Sequence, residues 1–190
     1  MTTICAFDAA TSHATCAVVR DGEVVAVRTS QPRELLSSLS ACVHDAADSF
    51  ADLDALVVGT GPGSFTSIRI ALATVRALGL GLGIPAAGVS TLHAFSGGRA
   101  VIDARRGEVF TEGCVLARPE QLDVEGDVLV GDGALRYRTL FEAAGAQIPP
   151  EGDPRHLPSA AALVAHRGSF GDPELIEPLY LRAPDAARPR

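Results

Sequence analysis

Gly59-Thr60-Gly61-Pro62-Gly63-Ser64-Phe65-Thr66-Ser67-Ile68-Arg69-Ile70 is the stretch on which the fold turns. It follows a short apolar run at 53–58 and opens a helical run that ends near Gly83. Glycine tolerates dihedrals closed to other residues, and a helix N-terminus presents N–H groups with no intrahelical partner. Such a loop could cradle a phosphate. It is not a Walker loop, because no Gly-Lys-Ser/Thr triplet closes it, and its spacing is wrong for the dinucleotide fingerprint. Ser64 is no nucleophile elbow either, since position 66 is Thr rather than Gly. Its expected role is to cap the helix. Gly59, Gly61, Pro62, Gly63 and Ser64 are therefore read as a structural strand-to-helix loop.

The helix beginning at about 66 and running to 82 is apolar nearly all round. At a hundred degrees per residue, Ile68, Leu72, Val75, Gly79 and Leu82 line one side, flanked by Ala71 and Leu78. That side should face a sheet. The far side holds Ile70, Ala73, Thr74, Ala77, Leu80 and Gly81, while both charges, Arg69 and Arg76, sit on one flank. A helix without a polar face is buried or pairs with another protein, and small residues let a second helix approach closely.

Upstream, residues 4–8, 15–20 and 23–28 read as three strands, with Asp21-Gly22 a two-residue hairpin signal. Gln31-Pro32 opens an amphipathic helix with Glu34 in its first turn. Leu35, Leu36, Leu39, Cys42, Val43, Ala46, Ala47 and Phe50 share one side; Ser37, Ser40, His44, Asp45 and Asp48 share the other. Downstream of Gly97-Gly98 a second lobe is expected. It starts with a hairpin of 99–104 and 108–116 across Arg105-Arg106-Gly107. A strand at 127–130, helices at 134–144 and 159–167, and a strand at 178–182 follow, so the lobes span 1–97 and 98–182 with a loose tail at 183–190.

At 190 residues and 47% hydrophobic content the chain can build a core as one domain or two small lobes. No run looks long enough to span a membrane; the most apolar stretch, 71–87, is broken by Thr74, Arg76 and glycines. Neither a basic n-region nor a cleavage site follows Met1, which points to the cytosol. A net charge of −7, with scattered arginines densest at Arg182, Arg188 and Arg190, argues against gripping nucleic acid alone. Cys5, Cys16, Cys42 and Cys114 form no C-x-x-C pair and read as buried free thiols, three of them on strands. A Cys5–Cys16 bridge between neighbouring strands is conceivable but disfavoured in a reducing compartment. His13, His44, His93, His156 and His166 include no i, i+4 pair with an adjacent Glu, so no zincin site is expected.

Five segments in order resemble the TsaB (YeaZ) family of bacterial tRNA threonylcarbamoyladenosine synthesis. They are Ile4-Cys5-Ala6-Phe7-Asp8 with Thr11-Ser12, the loop 59–69, Ile84-Pro85-Ala86-Ala87-Gly88-Val89-Ser90-Thr91-Leu92, Ile102-Asp103-Ala104-Arg105-Arg106-Gly107-Glu108-Val109-Phe110, and Glu177-Pro178-Leu179-Tyr180-Leu181-Arg182. Ser67 stands where that family usually has Gly. The resemblance implies an α/β fold of the actin-like (sugar kinase and heat-shock ATPase) kind, with two small lobes each holding a mixed sheet and helices. It also implies a non-catalytic accessory subunit in the cytoplasm, without cofactor or metal. That subunit would dock the catalytic subunit TsaD, work with the ATPase TsaE, meet tRNA only through the complex, and form a homodimer when alone. TsaD carries a histidine metal motif that this chain lacks.

Asp8 with Thr11, Ser12 and Thr15 resembles the first phosphate turn of actin-like ATPases, but in a degenerate form. Ala10 occupies a place that ATP-binding relatives commonly give to Gly, which hampers backbone approach. The other reading is a hairpin capped by its own Asp and Thr side chains. An actin-like small-molecule kinase or ATPase is the alternative function. Asp103, Arg105, Arg106 and Glu108 read as a solvated hairpin tip, with a partner contact as the sharper reading. The face Ile70, Ala73, Thr74, Ala77, Leu80 and Gly81 is the expected partner interface.

Overall fold

Every residue of β1 (Thr3–Asp8) is buried, because strands flank it on both edges and both of its faces are covered. Cys5 and Phe7 enter one core, Ile4 and Ala6 another, as period-two alternation requires. The computed structural model describes residues 1–47 and 49–182. Asp48, the tail expected at 183–190, and with it Arg188 and Arg190, lie outside the described residues.

β1 pairs antiparallel with β2 (Ala14–Arg20), which pairs antiparallel with β3 (Glu23–Ser30). Asp21 and Gly22, at φ 50° and 89°, form the expected tight turn. On the other side β1 runs parallel to β4 (Ala55–Gly59), and β4 to β5 (Ala86–Val89), giving the order β3-β2-β1-β4-β5. The second sheet has β6 (Arg99–Arg105), β7 (Glu108–Thr111), β8 (Val115–Ala117) and β9 (Leu129–Val130) in the order β8-β7-β6-β9. There, too, three strands are successively antiparallel and the fourth is parallel to the first. The second sheet thus repeats the first without its last strand, a repeat invisible in the sequence.

Helices α1 (Leu35–Ala46) and α2 (Phe65–Leu82) cover one face of the first sheet, where Leu35, Leu39, Ile68 and Leu72 join Cys5 and Phe7. The opposite face is shared with α5 (Ala160–Ala165) and the second sheet: Leu163, Ile102 and Phe110 pack with Ile4 and Ala6. Beyond the second sheet, α3 (Asp132–Arg136) and α4 (Arg138–Ala143) close a third core around Val101, Val109 and Phe141. One continuous apolar layer therefore joins the two sheets.

Several expectations are corrected. The helix of 134–144 starts earlier and is broken at Tyr137, whose ψ of 23° leaves the helical range and separates α3 from α4. The strand of 108–116 is interrupted by a turn in which Gly113 and Cys114 take φ of 74° and 56°. Cys114 is thereby exposed rather than buried on a strand. The strand at 127–130 shrinks to β9, and the helix at 159–167 to α5. No strand forms at 178–182; Leu179 instead donates its N–H to the Thr60 carbonyl at 2.8 Å. Leu36 is exposed, not on the apolar side of α1. Cys5 lies opposite Val18 while Cys16 lies opposite Phe7, and both thiols are free. Burial pushes the Cys5 thiol far above its usual range, so it is inert.

The absence of a run able to span a membrane also needs correcting. The 18 residues of α2, with a mean hydropathy of 1.4, are long and apolar enough to do so. A window starting at Phe65 gathers Phe65, Ile68 and Ile70 and meets only Arg69 and Arg76 as charges. The helix nevertheless packs on β4 and β1.

Candidate functional site

The C-terminal ends of β1 and β4 meet at a polar knot centred on Asp8. Its carboxylate is fully buried; Oδ1 accepts from the Ala10 N–H at 2.7 Å and Oδ2 from the Thr91 hydroxyl at 2.5 Å. Thr91 Oγ1 in turn accepts from the Gly61 N–H at 3.1 Å, and the Thr91 N–H donates to the Gly61 carbonyl at 2.7 Å. The knot ties the first turn, the Gly/Pro loop and the segment after β5 together. Asp8 faces inward and does not line the neighbouring cleft.

Glycine is required twice here. A Cβ on Gly59 would lie 1.5 Å from Asp8 Oδ2, and one on Gly63 would lie 2.1 Å from the Ala10 carbonyl oxygen. That carbonyl accepts the Ser64 N–H at 2.7 Å, so the Gly/Pro loop docks directly on the first turn. The Gly61–Pro62 peptide is cis. Ser64 caps α2, its hydroxyl accepting from the Ser67 N–H at 3.4 Å, and Gly83 ends the helix at φ 68°.

Desolvation raises the Asp8 carboxyl above the usual range, outweighing the two hydrogen bonds that lower it. A carboxyl whose folded value exceeds its unfolded one stabilises most at low pH, and that contribution declines as pH rises through the folded value. Asp8→Ala is expected to orphan the Ala10 N–H and the Thr91 hydroxyl, costing about 2–4 kcal/mol. Urea unfolding should find the deficit larger near pH 4, about the unfolded carboxyl value, than near pH 8. Equal stability of variant and wild type at both values would remove Asp8 from the knot.

A cleft of about 290 Å³ opens between the two sheets, with Ala10, Ser12, Ser64, Asp103, Tyr180 and Arg182 among its walls. Thr11 and Ser12 sit here, but their hydroxyls are used locally: Thr11 donates to the His13 carbonyl at 3.1 Å, and Ser12 lies 3.1 Å from His13 Nδ1. The segment 179–182 crosses one wall. The Tyr180 ring packs against Phe65 in a tilted arrangement with centroids 4.8 Å apart, and its hydroxyl accepts from Arg69 Nε at 3.1 Å. Arg182 donates to the Ala104 carbonyl at 2.7 Å and pairs with Glu108. Among the described residues no group of three or more His, Cys, Asp or Glu converges as a metal site would require.

Among the described residues nothing covers the outer face of α2. Leu80 is 74% and Ile70 40% exposed, and Ala73, Ala77 and Gly81 are also exposed. Thr74, expected on that face, is buried instead, its hydroxyl returned to the Ile70 carbonyl at 2.8 Å.

Over residues 27–131 the chain matches the family described as TsaD: tRNA N6-adenosine threonylcarbamoyltransferase. It is 38% identical over 121 residues to the tRNA threonylcarbamoyladenosine biosynthesis protein TsaB of Escherichia coli, covering 56% of this chain and 52% of the relative. YeaZ from Pseudomonas aeruginosa superposes with a TM-score of 0.76 at 25% identity, covering 95% of this chain and 100% of that one. The chain belongs to the TsaB (YeaZ) family. It is also 37% identical over 207 residues to an uncharacterized protein of Mycobacterium tuberculosis, covering 98% of this chain and 94% of the relative. A second P. aeruginosa structure, described as similar to peptidase YEAZ, gives a TM-score of 0.78 at 25% identity, covering 96% and 100%. The fold is accordingly the actin-like α/β fold of YeaZ, with mixed sheets and helices in two lobes.

The strand-to-helix loop and the inner face of α2 are legible from spacing, whereas Thr74 and Leu36 depart from the helical wheel. The role of Thr91 is not legible, because only the tertiary fold brings its hydroxyl to Asp8, 83 positions away. The contacts of Tyr180 and Arg182 across the cleft were hidden for the same reason.

Proposed function

We propose that this chain is a non-catalytic scaffold subunit in tRNA threonylcarbamoyladenosine formation, docking a TsaD-like transferase and working with a TsaE-like ATPase in the cytoplasm. Residues 1–97 form the lobe that carries the docking helix, and 98–182 the second lobe. The observation that carries this reading is the unpartnered apolar face of α2, whose small residues suit a second helix. Since a TsaD-like partner would share the fold, the same face serves a homodimer in its absence, and the two assemblies exclude each other.

The cleft chemistry supports a non-catalytic role. Asp8, the residue that would orient water or metal in an actin-like ATPase, is saturated by Ala10 and Thr91 and closed to the cleft. Ala10 crowds the first turn, and its carbonyl is taken by Ser64. Titration calorimetry with magnesium-ATP is expected to show no binding below roughly millimolar Kd, and the isolated chain no turnover. Micromolar binding with turnover would instead favour the kinase or ATPase alternative.

A further inference from the structure

We propose that the mouth of the cleft holds the phosphate backbone of the tRNA while the chain sits in the complex; this rests on the scaffold reading above. The chain carries sixteen basic residues, all of them arginine, against a net charge of −7. Its acidity argues against RNA binding over the surface at large, so a local excess of outward-facing guanidinium is informative.

Such an excess stands at the mouth. Asp103, whose side chain is 7% exposed, is approached by Arg105 Nη1 at 3.3 Å and Arg136 Nη1 at 3.7 Å. Those two arginine side chains are 74% and 55% exposed. One hidden carboxylate thus holds two guanidinium groups whose outer donors face solvent. Its Oδ1 also takes the Arg105 N–H at 2.9 Å. Asp132, the other acid on the wall, accepts the Asp103 N–H at 3.0 Å. Arg69 adds a cation whose partners are neutral among the described residues: its guanidinium lies 3.9 Å over the Phe65 ring and donates to the Tyr180 hydroxyl.

Arginine forks match phosphate oxygens in pairs, and Tyr180 on the cleft wall offers a ring beside them. Two or three such cations are too few to hold RNA alone, which agrees with the acidic whole. They would add to the grip of a partner already placed on α2. Arg69 is well positioned for this, being one residue from Ile70 at the edge of the docking face. A strand of RNA could then run from the partner across the mouth.

The test uses the chain assembled with its TsaD-like transferase and a labelled tRNA transcript, followed by fluorescence anisotropy over a range of salt. Arg69→Gln/Arg105→Gln is compared with Arg33→Gln, an equally removed charge on a side chain 83% exposed before α1. Each lost phosphate contact should flatten the slope of log affinity against log salt by about 0.7–0.9. The double variant is expected to bind roughly 5–20-fold more weakly near 0.1 M salt, with a slope shallower by about 1.5, and Arg33→Gln to match wild type. Arg69→Gln alone, which leaves the Asp103 ion pairs intact, should give about half the slope change if the double variant folds poorly. Unchanged slope and affinity, or equal loss in Arg33→Gln, would overturn the proposal and leave the scaffold reading standing. Lost capture of the transferase with tRNA binding intact would make the mouth a protein contact and overturn it too. A chain that never joins the transferase in size exclusion overturns the scaffold reading itself.

Discussion

Gly59→Ala is expected to lower the melting temperature by about ten degrees or more, or to prevent folding. The new methyl carbon would sit 1.5 Å from Asp8 Oδ2 and 2.4 Å from its Cγ. Asp8 is fully buried and cannot swing into solvent, so β1 and β4 must part or the carboxylate must leave its partners. Either outcome belongs with the most damaging single changes, above about 4 kcal/mol. At roughly 2–4 °C per kcal/mol for a chain of this size, that reaches the stated shift. Gly63→Val meets the Ala10 carbonyl oxygen at 2.1 Å and should behave alike. Gly61→Val is expected to cost several degrees, from its φ of 102° and the approach of Ile68 Cδ1 at 2.7 Å. Scanning calorimetry on the variants measures this. A Gly59→Ala protein melting within about 3 °C of wild type would show that the knot does not constrain the fold.

Ala77→Glu is expected to leave the monomer folded and abolish the associations proposed for the outer face of α2. Ala77 is exposed, so a glutamate there stands in water and keeps good helix propensity. α2 spans about 27 Å at the usual rise, enough for several turns of contact with a like helix. Buried under a partner, an unpaired carboxylate costs about 3–5 kcal/mol, a hundredfold or more in Kd. Light scattering after size exclusion should show a monomer that no longer captures the transferase. Retained dimer and capture would put the interface elsewhere, and an unfolded monomer would make this face core.

What could be read from the sequence follows the range of the forces involved. The Asp21-Gly22 hairpin, the capped start of α2 and its inner face are local, set by dihedral preference and helical period. Thr74 shows the limit of a wheel: its hydroxyl folds back on the Ile70 carbonyl and the residue is buried, at the edge of an apolar stripe. The break at Tyr137 has no Pro or Gly to announce it, and packing of Tyr137 and Phe141 into the third core accompanies it. Cys114 looked like a strand residue because its apolar character fits one, yet the Gly113 turn puts it outside. The knot around Asp8 joins residues 83 positions apart, which no local pattern reports. The resemblance to the family supplied the segments; only the fold supplied their contacts.

The central claim is most directly tested by the nucleoside content of tRNA from cells depleted of this chain, measured by mass spectrometry. Threonylcarbamoyladenosine is expected to fall in step with depletion and to return with the wild-type gene but not with Ala77→Glu. An undiminished level of that nucleoside after full depletion would contradict the account.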